Sequence, residues 1–426
     1  MILTIIIIFI LGYAAIAFEH PLKVNKAASA LLTATLCWSV IALASNDNHA
    51  AEYLTEHLGE VSGILFFLMG AMTIVELIDA HDGFYIITNR IRTTNKKKLV
   101  WLISLVTFFL SAALDNLTTT IVLVSLLRKI IPDRNDRLIF TSLVIISANA
   151  GGAWSPIGDV TTTMLWIGGQ ITAGSIVVNS FIPSLVCALI PTAIMSWRMK
   201  GNLPAVEPEK SINFVTSSYE RNLVFGIGVA SLLFVPIFKT ITGLPPYMGI
   251  LFGLGIMWVV TEFIHSARDE SEKGLLSVNH ALRKIDTPSV LFFLGILLSI
   301  GSLQATGVLT DLATLMDERI GNITVITIAI GLLSAVVDNV PLVAAAQGMY
   351  SLDVYPSGHY FWEFLAYCAG TGGSTLIIGS AAGVAAMGLE KIDFFWYVKK
   401  VSLLALIGYL AGAGFFILQQ YLITGR

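Results

Sequence analysis

The sequence predicts an all-α polytopic membrane protein of two inverted-topology repeats. Each repeat has five transmembrane helices, one re-entrant hairpin and, among the five, one broken helix. Three observations predict it. The 426-residue chain is 55% hydrophobic and only 12% charged, and its mean hydropathy is +0.80. Two segments far apart in the chain read alike, SAALDNLTTT at 111–120 and SAVVDNVPLV at 334–343, and each is followed by a Gly-rich interruption of the next apolar stretch. Most of the Lys and Arg residues, 22 of 25, gather in six loops, which sets how often the chain crosses.

The first repeat is expected over residues 1–200. Its opening MILTIIIIFI lacks the basic flank of a cleaved signal, so 2–18 reads as a retained helix. Spans follow near 26–45 and 61–80, each near the roughly 20 apolar residues that a bilayer crossing needs. The stretch at about 99–128 carries Asp115-Asn116 and is read as a hairpin, 138–170 as a helix broken by NAGGAWSPIGD, and 175–197 as a last span. Residues 201–220, with Pro204 and Pro208, form the linker. The second repeat, 221–426, repeats the plan with spans near 221–240, 246–264 and 287–305, a hairpin at about 322–350 carrying Asp338-Asn339, a broken helix at 361–388 and a span at 398–422.

Loop charge decides between hairpins and single crossings. If both Asp-Asn stretches are re-entrant, 22 of the 25 Lys and Arg residues fall on one face, leaving Lys239, Arg319 and Arg426 on the other. If either stretch crosses once, the faces mix. The basic face is cytoplasmic by the positive-inside rule, which puts the N-terminus outside. An odd number of crossings per half inverts the second half relative to the first, the architecture of alternating-access transporters. The net charge of −3 excludes no partner, because sign is partitioned by loop. The three cysteines, Cys37, Cys187 and Cys368, lie in apolar spans and read as small core residues.

An ionised Asp at the bilayer centre costs roughly 2.5–3.5 kcal/mol on insertion scales, so acids repeated at matching depth mark a functional site. Asp115, Asp159 and Asp338 are three such acids, with no Lys or Arg clearly within a span to offset them. That sign selects a cation or holds protons. The hairpin tips and the breaks at Gly151-Gly152 and Gly372-Gly373 expose carbonyls beside Asn116, Asn149 and Asn339, hard oxygen ligands suited to a small alkali cation. Thr118, Ser155, Thr161, Thr371 and Ser374 are additional ligand candidates. Ser380 takes the place in the second half that Asp159 holds in the first. Glu76, deep in its span, is either a proton-relay carboxylate or an acid paired within the bundle, whereas Asp79 belongs to the cytoplasmic interface. His81, between Asp79 and Asp82, reads as a solvated loop histidine rather than a pH sensor. Nothing in the chain resembles a metal-ligand cluster, a P-loop or a nucleotide fingerprint, so no cofactor, catalytic residue or nucleic-acid partner is expected.

The segments ALDNLTTT, SANAGGAWSPIGDVTTTMLWIGG, SAVVDNVPLVAAA and GTGGSTLIIGSAAG resemble the NhaD-type sodium/proton antiporters of the ion transporter superfamily. In the dicarboxylate branch of that superfamily the hairpin tips resemble Ser-Asn-Thr, and here Asp115 and Asp338 take the Ser places. The resemblance implies Na+ or Li+ exchanged for H+ across a bacterial inner membrane, and the acid cluster puts Na+ at Asp115, Asp159 and Asp338. It also implies a homodimer in the lipid bilayer, with a scaffold domain and a transport domain.

Two other readings stay open at this point. One is a transporter of the same fold for arsenite or a sodium-coupled carboxylate. The other is an intramembrane aspartyl protease, which also needs two membrane aspartates. That reading has only half of its motif in Pro156-Ile157-Gly158-Asp159 and leaves the repeat unexplained.

Overall fold

Apolar runs with no β-branched alternation and few mid-span prolines favour helix in a medium that cannot solvate a free backbone. The computed structural model describes all residues except 45–48, 89–90, 92, 204–215, 267 and 425–426. Among the described residues there are helices and no strands, only one isolated bridge between Asn95 and Asn202. Most of the linker, including Pro204 and Pro208, lies outside the described residues.

The first half contains α1 (Ile2–Ala17), α2 (Glu19–Leu22), α3 (Lys26–Ala44), α4 (His49–Ala80), α5 (Tyr85–Thr88), α6 (Lys96–Leu114), α7 (Asn116–Ile130), α8 (Arg134–Gly152), α9 (Val160–Ile167) and α10 (Ala173–Arg198). The second contains α11 (Ser218–Thr242), α12 (Pro246–Ile264), α13 (Glu270–Leu275), α14 (Val278–Lys284), α15 (Thr287–Ala305), α16 (Val308–Arg319), α17 (Ile323–Leu333), α18 (Asn339–Met349), α19 (Tyr360–Gly372), α20 (Ala381–Glu390), α21 (Phe394–Tyr397) and, after a π-helical turn, α22 (Leu403–Thr424). Starts are marked by side-chain caps. Asn95 caps α6, Asp133 caps α8, and Thr172/Ser175 and Ser217/Glu220 form capping boxes on α10 and α11, each cap worth about 0.5–2 kcal/mol.

Among the described residues eight helices are long and apolar enough to cross a membrane alone, against ten spans read from the sequence. The difference has local causes. Two expected spans are divided into α8/α9 and α19/α20, α1 has only 16 residues, and α6 qualifies by length although α7 turns back from its end. The expected span at 61–80 is the end of a longer helix that starts at His49.

With lipid as solvent, helices associate through close packing at small residues. Gly295 of α15 lies against the backbone of Ala30 and Leu31 in α3, where a Cβ would collide. Gly408 and Gly412 of α22 sit one turn apart against α10, beside Pro191 and the Pro183 carbonyl. The two prolines lie inside α10, so each removes a backbone donor there. Helices α6, α8, α10, α19 and α22 pack together around the breaks, while α1, α3, α4, α12 and α15 form a second group that meets α9 and α18. Cys37, Cys187 and Cys368 are all buried and unpaired, as core residues should be.

Ion pairs tie the ends. Lys96, at the start of α6, meets Asp136, at the start of α8, at 2.5 Å. Glu390, at the end of α20, takes Arg128 of α7 at 2.7 Å and Arg137 of α8 at 2.8 Å. The start of α6, the end of α7, the start of α8 and the end of α20 therefore lie together.

Candidate ion site

Each Asp-Asn pair falls at a helix break. Asp115 ends α6 and caps α7 with φ 104° and ψ 161°, a region that costs a non-Gly residue about 1–3 kcal/mol. Asp338 caps α18 after the turn that follows α17. The broken helices are stitched in matching ways to the helices that precede these pairs. Ser111 Oγ donates to the Ala148 carbonyl at 2.6 Å, and Ser334 Oγ donates to that of Ala369 at 2.8 Å. A Cβ on Gly151 would strike the backbone of Phe108, and one on Gly372 would strike that of Gly331. These two glycines permit the close approach of α8 to α6 and of α19 to α17.

The carboxylates converge. Asp115 accepts the Thr118 amide at 2.7 Å and the Thr118 hydroxyl at 2.9 Å. Asp159 caps α9 and accepts the Thr161 amide at 2.8 Å, the Thr161 hydroxyl at 2.6 Å and the Asn116 amide at 2.6 Å. Asn116 Nδ2 also donates to Asn149 Oδ1 at 3.1 Å, and Asn149 Nδ2 donates to Ser374 at 2.9 Å and Ser380 at 2.8 Å. Asn149 thus joins the start of α7, the first break and the second break. Asp115, Asn116, Asp159, Asp338 and Asn339 line one cavity of about 70 Å³. Among the described residues no three His, Cys, Asp or Glu side chains gather tightly enough to hold a metal ion by themselves. A cation in this cavity needs amide, hydroxyl or water oxygens as well.

Not every expected ligand reaches the cavity. Ser155 donates to the Ala112 carbonyl and Thr371 to the Tyr367 carbonyl, so both satisfy backbone inside the protein. Thr118 and Thr161 hold carboxylates, and Ser374 reaches the site through Asn149. The absence of an offsetting base is corrected. Lys26 Nζ lies 3.3 Å from Asp338 Oδ2 and 4.4 Å from the centre of the Phe292 ring. Lys26 is the first residue of α3, and a lysine stem lets a residue at a helix end place its charge well away from its backbone. The only signal for it in the sequence was a lysine at the edge of an apolar run.

A second cavity of about 500 Å³ adjoins the first, with Met72, Leu117 and Thr118 lining both. Its walls include Glu76, Asp79, Lys129 and Lys284. Lys284 lies 3.2 Å from Glu76, and both face this vestibule. Asp79 lines the same space.

His81 is not solvated. It is fully buried and stacks on His265 with ring centroids 5.0 Å apart. Its Nδ1–H donates to the Leu77 carbonyl at 2.7 Å, and among the described residues Nε2 of each ring lacks a partner. Burial holds both imidazoles below their usual range. His265 is pushed to about 4 by burial, then by His81 and Arg268. The sequence placed His81 beside two acids, but the chain folds α12 over it.

The profile of the citrate transporter family matches residues 13–372. Over 407 residues the chain is 51% identical to sodium/proton antiporter 1 of Arabidopsis thaliana, covering 95% of this chain and 70% of that protein. Sodium/proton antiporter 2 of the same plant is 48% identical over 408 residues, 95% and 97% of the two chains. The Na(+)/H(+) antiporter NhaD of Alkalimonas amylolytica is 29% identical over 437 residues, 95% and 88% of the two chains.

Proposed function

The chain belongs to the citrate transporter family of the ion transporter superfamily, and from that premise we propose that it exchanges Na+ or Li+ for H+ by alternating access. The observation that carries this reading is the convergence of Asp115, Asp159 and Asp338 on one small cavity that adjoins an open vestibule. The names of its antiporter relatives support the same reading.

In this mechanism a sodium ion enters through the vestibule past Thr118 and meets carboxylate and amide oxygens. The protons leave because the same carboxylates take the cation, so binding one expels the other. Helix ends assist: the caps of α7, α9 and α18 hold Asp115, Asp159 and Asp338 in place while the ion changes. The matching stitches at Ser111 and Ser334 support two inverted repeats, 1–200 and 221–426, whose rocking changes the open side. We take the end bearing Lys129 and Lys284 as cytoplasmic, the membrane as a bacterial inner membrane and the N-terminus as outside. The charge distribution of the loops supports that orientation. Cysteines introduced at 95 and 135 are then labelled from inside, and those at 320 and 355 from outside. A homodimer belongs to the same reading and is tested by light scattering in detergent.

The family's name raises citrate as a substrate. Three carboxylates offset by one lysine oppose a tricarboxylate, so the cation reading is favoured. The deciding test is a sodium-triggered pH change in everted vesicles, for the protein as it stands and for Asp115→Asn and Asp159→Asn. Asn keeps the size and capping oxygen of each Asp and removes its charge. Both variants should fold and lose exchange. No sodium response in the unaltered protein, or near-normal exchange in both variants, overturns the proposal.

A further inference from the structure

We infer that Lys26 is a tethered competitor for the transported cation: its ammonium holds Asp338 in the cation-free site, and sodium must displace it. This rests on the sodium-exchange reading and names the residue that sets the apparent affinity. Four observations carry it.

First, Lys26 lies in the site itself. It lines the same cavity of about 70 Å³ as Asp115, Asp159 and Asp338. Second, Asp338 is the least hydrogen-bonded of the three acids. Asp115 and Asp159 each take a threonine amide and hydroxyl at 2.9 Å or less, whereas among the described residues Asp338 receives one long backbone donor, Val340 N, at 3.4 Å. The ammonium at 3.3 Å fills the coordination that the other acids obtain from their own helix starts. Third, the pair is not sealed. The two side chains retain 25% and 19% of their exposure, so an ion can reach the carboxylate without unfolding its surroundings. Fourth, the Lys26 ammonium has a second partner when it gives up Asp338. The Phe292 ring face lies 4.4 Å from Nζ, and Phe292 is fully buried and fixed on α15.

The sign of the effect follows from charge. With Lys26 present, a cation entering the cavity meets three carboxylates and one ammonium. Without the ammonium it meets the carboxylates alone and has no internal rival. An ion pair serving only to join α3 to the second hairpin predicts something else, a loss of folded protein or of maximal rate with no gain in affinity.

The experiment is sodium-driven exchange in everted vesicles for the unaltered protein, Lys26→Met and Lys26→Arg, with half-maximal sodium and maximal rate read separately. Met keeps most of the stem and removes the charge. Lys26→Met should lower half-maximal sodium about tenfold, equivalent to about 1.4 kcal/mol, without raising the maximal rate. Lys26→Arg, which keeps the charge, should show no such gain. Sodium-dependent thermal stabilisation of purified protein in detergent reads the same affinity without turnover, and Lys26→Gln replaces the Met variant if that variant is not recovered folded. An unchanged or weakened sodium affinity in the neutral variants, with the unaltered protein exchanging normally, overturns the role of Lys26 alone. If the unaltered protein shows no sodium-driven exchange, both the function and this inference fall.

Discussion

Asn149→Ala removes a side chain that bonds to both halves of the site. Asn149 is fully buried on α8 and makes three hydrogen bonds, to Asn116 at 3.1 Å, Ser374 at 2.9 Å and Ser380 at 2.8 Å. At roughly 0.5–1.5 kcal/mol for each bond the loss is about 1.5–4.5 kcal/mol. The three are not equal. Asn116 still has Asp159 as acceptor, and the Ser380 oxygen still takes the Gly383 amide. The Ser374 hydroxyl loses its neighbour in a dry region, which moves the total toward the upper half of that range. Ser147 provides the control. It lies on the same helix, fully buried, and its hydroxyl has no partner among the described residues, so Ser147→Ala should cost almost nothing. The assay is equilibrium unfolding of the purified protein in mixed micelles, run on both variants and on the unaltered chain. An Asn149→Ala loss within about 0.5 kcal/mol of that for Ser147→Ala would refute the reasoning.

Three further outcomes are expected. Glu390→Gln leaves Arg128 and Arg137 facing a neutral amide where the carboxylate is almost fully buried, and should cost about 3 kcal/mol in the same unfolding assay, the low end for a broken buried pair because Arg128 is half exposed; a loss below about 1 kcal/mol contradicts it. His265 is held neutral in the folded protein at about 4 but regains its ordinary proton affinity, near 6.5, on unfolding. Acid therefore favours the unfolded chain as pH falls from about 6.5 toward about 4. His265→Phe should flatten that loss, and an unchanged acid profile of unfolding argues against the buried pair as its source. If sodium and protons use the same carboxylates, half-maximal sodium should rise as pH falls, as for any ligand set that must be deprotonated to bind. A value constant across the active pH range instead favours a separate proton path, with Glu76 first among its candidates.

What the sequence determined by itself was the class of the protein and the order of its helices. Apolar run length is a local property, so α3, α12 and α15 begin and end within about a residue of where the sequence put them. Gly-rich breaks and Asp-Asn pairs are local too, because an unwound backbone and a carboxylate at membrane depth are costly wherever the chain goes next. Tertiary structure alone decided the partners. Lys26 and Asp338 are 312 residues apart, and Asn149 and Ser380 are 231 apart. Sequence position does not say which way a stem extends or which helix it meets. Thr371 and Ser155 had the right chemistry for ligands, yet their hydroxyls turn to the nearest backbone carbonyl. His81 appeared to lie in a polar loop, and α12 with its terminal His265 buries it. Helix and break follow from neighbours along the chain, whereas a side chain's partner follows from packing between elements that only folding brings together.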